Sequence, residues 1–183
     1  MMVQKISLDE KRKNYAMTKV QLYHAMQAQI DPAGAILEQV KHSLWQIRIK
    51  GQVVSKFLLK NSKNWADDPR ATDLVGHYKF RSWNLFSESD LDADVDYFVF
   101  AITRRRPADI QLIVLTPTQL KQLWDDPRRK MTHGAKPFYF SQLLNGRLGD
   151  SRFAKGASKN YDGWIDLPKS VLNNYDALLG KRA

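Results

Sequence analysis

The sequence predicts an α/β fold, a central mixed β-sheet of about five strands flanked by helices, and three observations predict it. Residues 96–103 and 110–115 are short apolar runs, rich in β-branched and aromatic residues and bounded by turn formers. They read as strands covered on both faces. Residues 44–60 alternate with a period of two: Trp45, Ile47 and Ile49 against Gln46, Arg48 and Lys50. That is the pattern of a half-buried strand with a hairpin partner. Helix punctuation stands on either side, in Asp31-Pro32, Thr116-Pro117-Thr118-Gln119 and Asp166-Leu167-Pro168.

Taken in order, residues 8–29 contain few breakers and place Val20, Tyr23, Gln27 and Ile30 on one side of a first helix. Asp31-Pro32 starts a second, to about Ser43, with Ile36, Leu37 and Val40 as its apolar stripe; the pair admits a helix-turn-helix reading. Leu44 to Lys50 is a strand, Gly51-Gln52 a turn, and Val53 to Lys60 the returning strand. Residues 61–75 read as a loop, and 77–83 as a third strand with Tyr78 and Phe80 on one face. The two apolar strands follow, then a capping box at Thr116 launches a helix carrying Leu120, Leu123 and Trp124. Residues 125–163 read as loops with one strand, Phe138-Tyr139-Phe140. A last helix runs from Asp166 through Val171, Leu172, Tyr175, Leu178 and Leu179 to Gly180. The whole forms one domain, 1–183: a helical part (1–43), a sheet core (44–124) and a basic, loop-rich part with the C-terminal helix (125–183).

With 43% hydrophobic and 11% aromatic residues in 183, the chain can bury a core. No apolar run approaches a membrane span, the first residues lack a signal-peptide pattern, and zero cysteines exclude disulfides and thiolate zinc sites. Cytoplasmic residence is the expectation. The net charge of +10 is unevenly spread. Residues 1–61 hold 10 Lys/Arg against 4 Asp/Glu, 62–126 hold 8 against 11, and 127–183 hold 11 against 4. Basic ends around an acidic middle suit a polyanion, so nucleic acid is the expected partner, double-stranded DNA before RNA, with a homodimer compatible.

The cations fall in groups suited to phosphate. If Trp45, Ile47 and Ile49 face the core, then Arg48 and Lys50 face away, and Lys56 and Lys60 on the second strand and His77, Lys79 and Arg81 on the third extend one basic wall. Arg104, Arg105 and Arg106 stand together between the apolar strands, and Arg128, Arg129 and Lys130 open the last third. An acidic ladder, Glu88, Asp90, Asp92, Asp94 and Asp96, has the oxygen chemistry for Mg²⁺ but not the spacing of a calcium-binding helix–loop–helix. His24, His42, His77 and His133 show no metal-ligand spacing, and there is no nucleophile elbow or glycine-rich phosphate loop.

The segments Phe57-Leu58-Leu59-Lys60-Asn61-Ser62, Trp83-Asn84-Leu85, Tyr97-Phe98-Val99-Phe100 and Leu112 through Leu120 resemble, in order and punctuation, restriction-endonuclease-like proteins of the PD-(D/E)XK type. The resemblance covers about residues 36–124 and implies that fold and metal-dependent phosphodiester hydrolysis with Mg²⁺. It implies that Lys60 matches the lysine that positions the attacking water, and that Glu38 loosely matches a helical acid. The metal-binding acids do not match: Trp45 and Leu58 stand where they belong. The nearest substitutes are Asp67 and Asp68 as metal ligands and Asp73 as a catalytic acid. The rival readings are a non-catalytic nucleic-acid-binding module and a small metal-free RNase using His77 and Lys79 as acid and base.

Overall fold

The computed structural model describes residues 15–66, 78–127, 129, 131, 133–151 and 164–181. Its strands are β1 (Ala35–Lys41), β2 (Leu44–Ile49), β3 (Gln52–Lys63), β4 (Tyr78–Arg81), β5 (Asn84–Ser87), β6 (Tyr97–Arg104), β7 (Asp109–Leu115), β8 (Ala135–Phe138), β9 (Phe140–Leu143), β10 (Leu148–Ser151) and β11 (Trp164–Asp166). The helices are α1 (Lys19–Ile30), α2 (Glu88–Leu91), α3 (Pro117–Trp124) and α4 (Tyr175–Leu178).

The central sheet is mixed and five-stranded, in the order β1-β2-β3-β6-β7. Strands β1, β2 and β3 form an antiparallel meander, β6 adds parallel to β3, and β7 returns antiparallel to β6. Side chains that alternate along β6 explain why it lies inside the sheet, between β3 and β7. Val99 and Ala101 join Leu37, Ile47, Phe57 and Leu112 under α1, which contributes Leu22, Met26 and Ile30. Phe98, Phe100 and Ile102 point the other way, against Phe80, Phe86, Phe138 and Phe140 and against Leu120, Leu123 and Trp124 of α3. Both faces are therefore buried there, as the continuous apolar run predicts. Phe100 sits at the centre of the second layer, its ring 4.6 Å from that of Phe140 and 5.6 Å from that of Phe86. Removing such a ring costs about 3–5 kcal/mol.

That second layer holds a four-stranded sheet, β11-β10-β9-β4, and a two-stranded ribbon, β5-β8. Side-chain amides close both edges of the central sheet. Gln27 Nε2 donates to Ala35 O at 2.8 Å while Leu37 N–H donates to Gln27 Oε1 at 2.7 Å, so one side chain stands in for a neighbouring strand. On β7, Leu112 N–H donates to Asn173 Oδ1 at 2.8 Å and Asn173 N–H to Leu112 O at 2.8 Å. Edges covered in this way resist pairing with another chain.

Several expectations need correction. Residues 31–43 are not a helix. Asp31–Ala33 makes one 3₁₀ turn, Gly34 reverses it at φ 66°, and 35–41 pair with β2 as a strand. Ala35 and Leu37 are buried while Ile36 and Val40 are exposed, so the period is two rather than 3.6. The proline cap was a real local signal, but a left-handed glycine and strand pairing override it, and the helix-turn-helix reading falls with it. The first helix begins at Lys19, where Thr18 and Gln21 form a capping box; just before it, Met17 N–H donates to Thr103 Oγ1 at 2.9 Å. Residues 8–14 lie outside the described residues. Strand β4 does not neighbour β3 but pairs with β9. The region read as loops with one strand contains β8, β9 and β10, divided at Tyr139. The last helix is broken: a 3₁₀ turn Lys169–Val171 and the single turn α4 are separated by Asn173 at φ 52°. No helix of the described residues is long and apolar enough to cross a membrane.

Candidate nucleic-acid interface

Lys60 lies near the end of β3, on the face it shares with Leu58. Its Nζ is 3.0 Å from Asp90 Oδ2 and 5.2 Å from the centre of the Phe86 ring. Asp90 is the third residue of α2 and closes that helix's capping box: it also accepts from Ser87 N–H at 2.9 Å and from the Ser87 hydroxyl at 2.8 Å. Burial pushes the Asp90 carboxyl up, but the Ser87 N–H and the Lys60 ammonium outweigh it and hold the group below its ordinary value. Side-chain exposures of 25% for Lys60 and 20% for Asp90 leave the pair open to solvent. Asn84 stands on the same face of β5 as Phe86; its Nδ2 is buried with no hydrogen-bond partner. The acidic ladder thus sends one member to Lys60. Asp96 instead fastens the start of β6, its Oδ2 accepting from Lys56 N–H at 2.8 Å, and Glu88, Asp92 and Asp94 are exposed.

The described donors do not fit a Mg²⁺ site. Leu58, where a metal-binding acid belongs, is 7% exposed in the second-layer core, and Trp45 is buried under α1. Glu38 is not near Lys60. It sits opposite Gln46, which sits opposite Lys56, two strands across and four residues short of Lys60, a separation of roughly 16 Å. Among the described residues no three His, Asp or Glu side chains gather as metal ligands. Asp67, Asp68, Asp73 and His77 lie outside the described residues.

The expected single basic wall is divided. Arg48 and Lys56 do share a face of β2 and β3, but β1 brings Glu38 onto it, and Arg48 Nε lies 2.8 Å from Glu38 Oε2. Hydrogen bonds from Gln46 and from Arg48 hold the Glu38 carboxyl below its ordinary value. Lys50 sits at the hairpin turn with φ 51°. Lys79 is exposed on β4, in the other layer; Arg81 beside it is only 9% exposed, its guanidinium 5.5 Å from the rings of Tyr78 and of Tyr139. Arg104 and Arg105 are half-buried, and Arg105 holds the chain at residues 15 and 16, its N–H donating to Tyr15 O at 2.9 Å and its Nη2 facing Ala16 O at 3.4 Å. Arg106 alone of the three is exposed at the hairpin tip.

Arg129 is a further correction. At 6% exposure it cannot serve as a phosphate contact. Its guanidinium donates to Leu123 O at 2.9 Å, to Pro137 O and to Asp150 Oδ2, and it lies 3.7 Å from the centre of the Phe138 ring. Asp150 is fully buried and accepts from Tyr139 N–H at 2.9 Å. The pair ties α3, β8 and β10 together. A signal for it stood in the sequence: Asp150 is the single acid among 8 basic residues in 127–161. Arg128 and Lys130 lie outside the described residues. Compared with known proteins, the chain matches no family model, no curated protein and no solved structure.

Proposed function

We propose that this protein binds nucleic acid, with double-stranded DNA as the expected partner, and that its fold is of the restriction-endonuclease-like kind. The observation that carries the binding reading is the burial of one carboxylate. Residues 127–161 hold 8 basic residues and a single acid, Asp150, and that acid is sealed against Arg129. No described residue of the stretch then offers solvent a negative charge; Asp166 beyond it pairs with Arg147 at 2.7 Å, and the net charge that phosphates meet is positive. The fold reading draws support from a mixed central sheet in which β3, bearing Lys60, adjoins β6, and β7 leads through Thr116 into the proline-started α3. These are the segments on which the resemblance rests.

A second reading, Mg²⁺-dependent hydrolysis of phosphodiester bonds, follows from the resemblance, in which Lys60 stands near the end of a rigid strand beside Asp90, although the described donors do not themselves form a metal site. It needs further carboxylates near Asp90. One set of experiments tests both readings. Labelled duplex DNA is titrated at two salt concentrations, and plasmid is incubated with Mg²⁺ or with EDTA. Six or more phosphate contacts predict an affinity that falls by about 10³-fold between 50 and 200 mM salt. Absence of binding at the lower salt removes the proposal. Plasmid cleavage that EDTA abolishes replaces simple binding with hydrolysis.

A further inference from the structure

Trp83 and Leu85 are both 47% exposed, whereas Asn84 and Phe86 are 5% and 0% exposed. The alternation of β5 turns the pair to the outer face of the β5–β8 ribbon, where Leu85 stands opposite Pro137. Trp83 is nevertheless restrained. Its backbone N–H donates to Ser62 Oγ at 3.1 Å, and the preceding Ser82 N–H donates to Phe140 O at 2.8 Å. The guanidinium of Arg81, two residues before Trp83, lies 5.5 Å from the Tyr139 ring centre. Trp65 adjoins β4, its N–H donating to Arg81 O at 2.8 Å, and Lys63 Nζ stands 4.4 Å from its ring centre.

A lone exposed apolar side chain is ordinary. A ring whose backbone N–H is held by Ser62, beside a second exposed apolar side chain, is a preformed flat surface. Two cations adjoin it: Lys63 follows Ser62, whose Oγ accepts from Trp83 N–H, and Lys79 is exposed on β4. We infer that the outer face of this ribbon is a stacking platform for unpaired nucleotide bases, with Trp83 as the ring on which a base lies and Lys63 and Lys79 near the strand's phosphates. The inference rests on the nucleic-acid reading and adds a preference for single-stranded segments. Every base has an apolar face that an indole can cover, and in a duplex those faces are already stacked.

The test titrates wild type, Trp83→Ala and Trp83→Phe with three labelled DNA probes: a single strand, a blunt duplex, and that duplex with a single-stranded overhang. Trp83→Ala is expected to weaken the single-strand and overhang probes by about 5- to 150-fold while shifting the blunt duplex less than about 2-fold. Trp83→Phe, which keeps a ring, retains most of the affinity. A thermal midpoint unchanged in both variants assigns the loss to the lost ring. Single-strand affinity equal in wild type and Trp83→Ala overturns the inference. So does a wild-type dimer that Trp83→Ala splits in sedimentation, since the face is then a contact between copies. Wild type that binds the blunt duplex but no single strand overturns it while leaving the nucleic-acid reading intact; binding of no probe removes that reading and this one together.

Discussion

Two ion pairs on the second-layer side of the molecule join a cation to an aspartate, and they differ in one property. In Arg129–Asp150 the side chains are 1% and 0% exposed; in Lys60–Asp90 they are 25% and 20% exposed. The sealed pair is surrounded by further partners, Leu123 O, Pro137 O and Tyr139 N–H, so both charges are committed to holding strands together. In the open pair, Asp90 has local partners in Ser87, while Lys60 meets Asp90 and the Phe86 ring. A cation's availability to a ligand is therefore set by what surrounds it. Its place in a basic stretch does not decide the matter, and Arg129, at the head of the most basic stretch, is the least available.

The largest effect that sharpens this contrast is expected at the sealed pair. Arg129→Met leaves Asp150 buried without its counter-charge, and such a break costs about 3–5 kcal/mol. The urea midpoint should fall accordingly. The double variant Arg129→Met with Asp150→Leu should lose less than the sum of the two single changes, because it leaves no buried charge alone. Equal and additive losses would mean the pair is no more coupled than two distant residues, and the comparison would fail.

The open pair should behave in the opposite sense. Lys60→Ala removes a partly solvated contact worth about 1 kcal/mol or less, since Asp90 keeps its Ser87 donors. Nucleic-acid affinity should fall all the same, and the slope of log affinity against log salt should shrink by about 1 if Lys60 meets a phosphate. A large drop in urea midpoint with affinity retained would make Lys60 a structural residue like Arg129.

Legibility in the sequence followed the strength of local constraint. The two apolar strands and the helix from Pro117 were readable because burial on both faces and a capping box leave little room for alternatives. Residues 31–43 were misread because Ile36, Leu37 and Val40 fit either period, and the deciding contacts come from outside the segment, from β2 across a tight hairpin and from Gln27 of α1. The same error hid the fate of the basic wall. As a strand, this segment carries Glu38 onto the face of Arg48 and neutralises it. Of the expected site, Lys60 was found on a strand with a carboxylate nearby, but Asp90 was read only as one of five ladder acids. The Ser87-Glu88-Ser89-Asp90 spacing marks it as a capping-box residue, but its contact with Lys60 arises only when α2 folds and aims it at β3. Arg81 and Arg129 were misjudged for one reason: residue type signals charge, while aromatic neighbours brought by distant strands decide burial.

The smallest expected effect is a pH dependence, and it separates charge from shape at the open pair. The Asp90 carboxyl is held below its ordinary value of 3.8 in the folded state, despite a burial contribution of opposite sign. A group depressed on folding stabilises the protein above its unfolded pKa, and the contribution is lost as pH falls through the folded value. The wild-type urea midpoint should therefore decline below about pH 5 as this carboxylate begins to protonate. Asp90→Asn keeps the size and part of the cap but never ionises, so its midpoint should be lower than wild type at neutral pH, with the two curves converging in acid. Glu38 and Asp166 are depressed as well and act over the same range, so Glu38→Gln and Asp166→Asn are the necessary controls, and each should flatten the acid limb independently of Asp90→Asn. If the Asp90→Asn gap is as wide at pH 3 as at pH 7, Asp90 acts as a cap on α2 alone, and its contact with Lys60 adds nothing to stability.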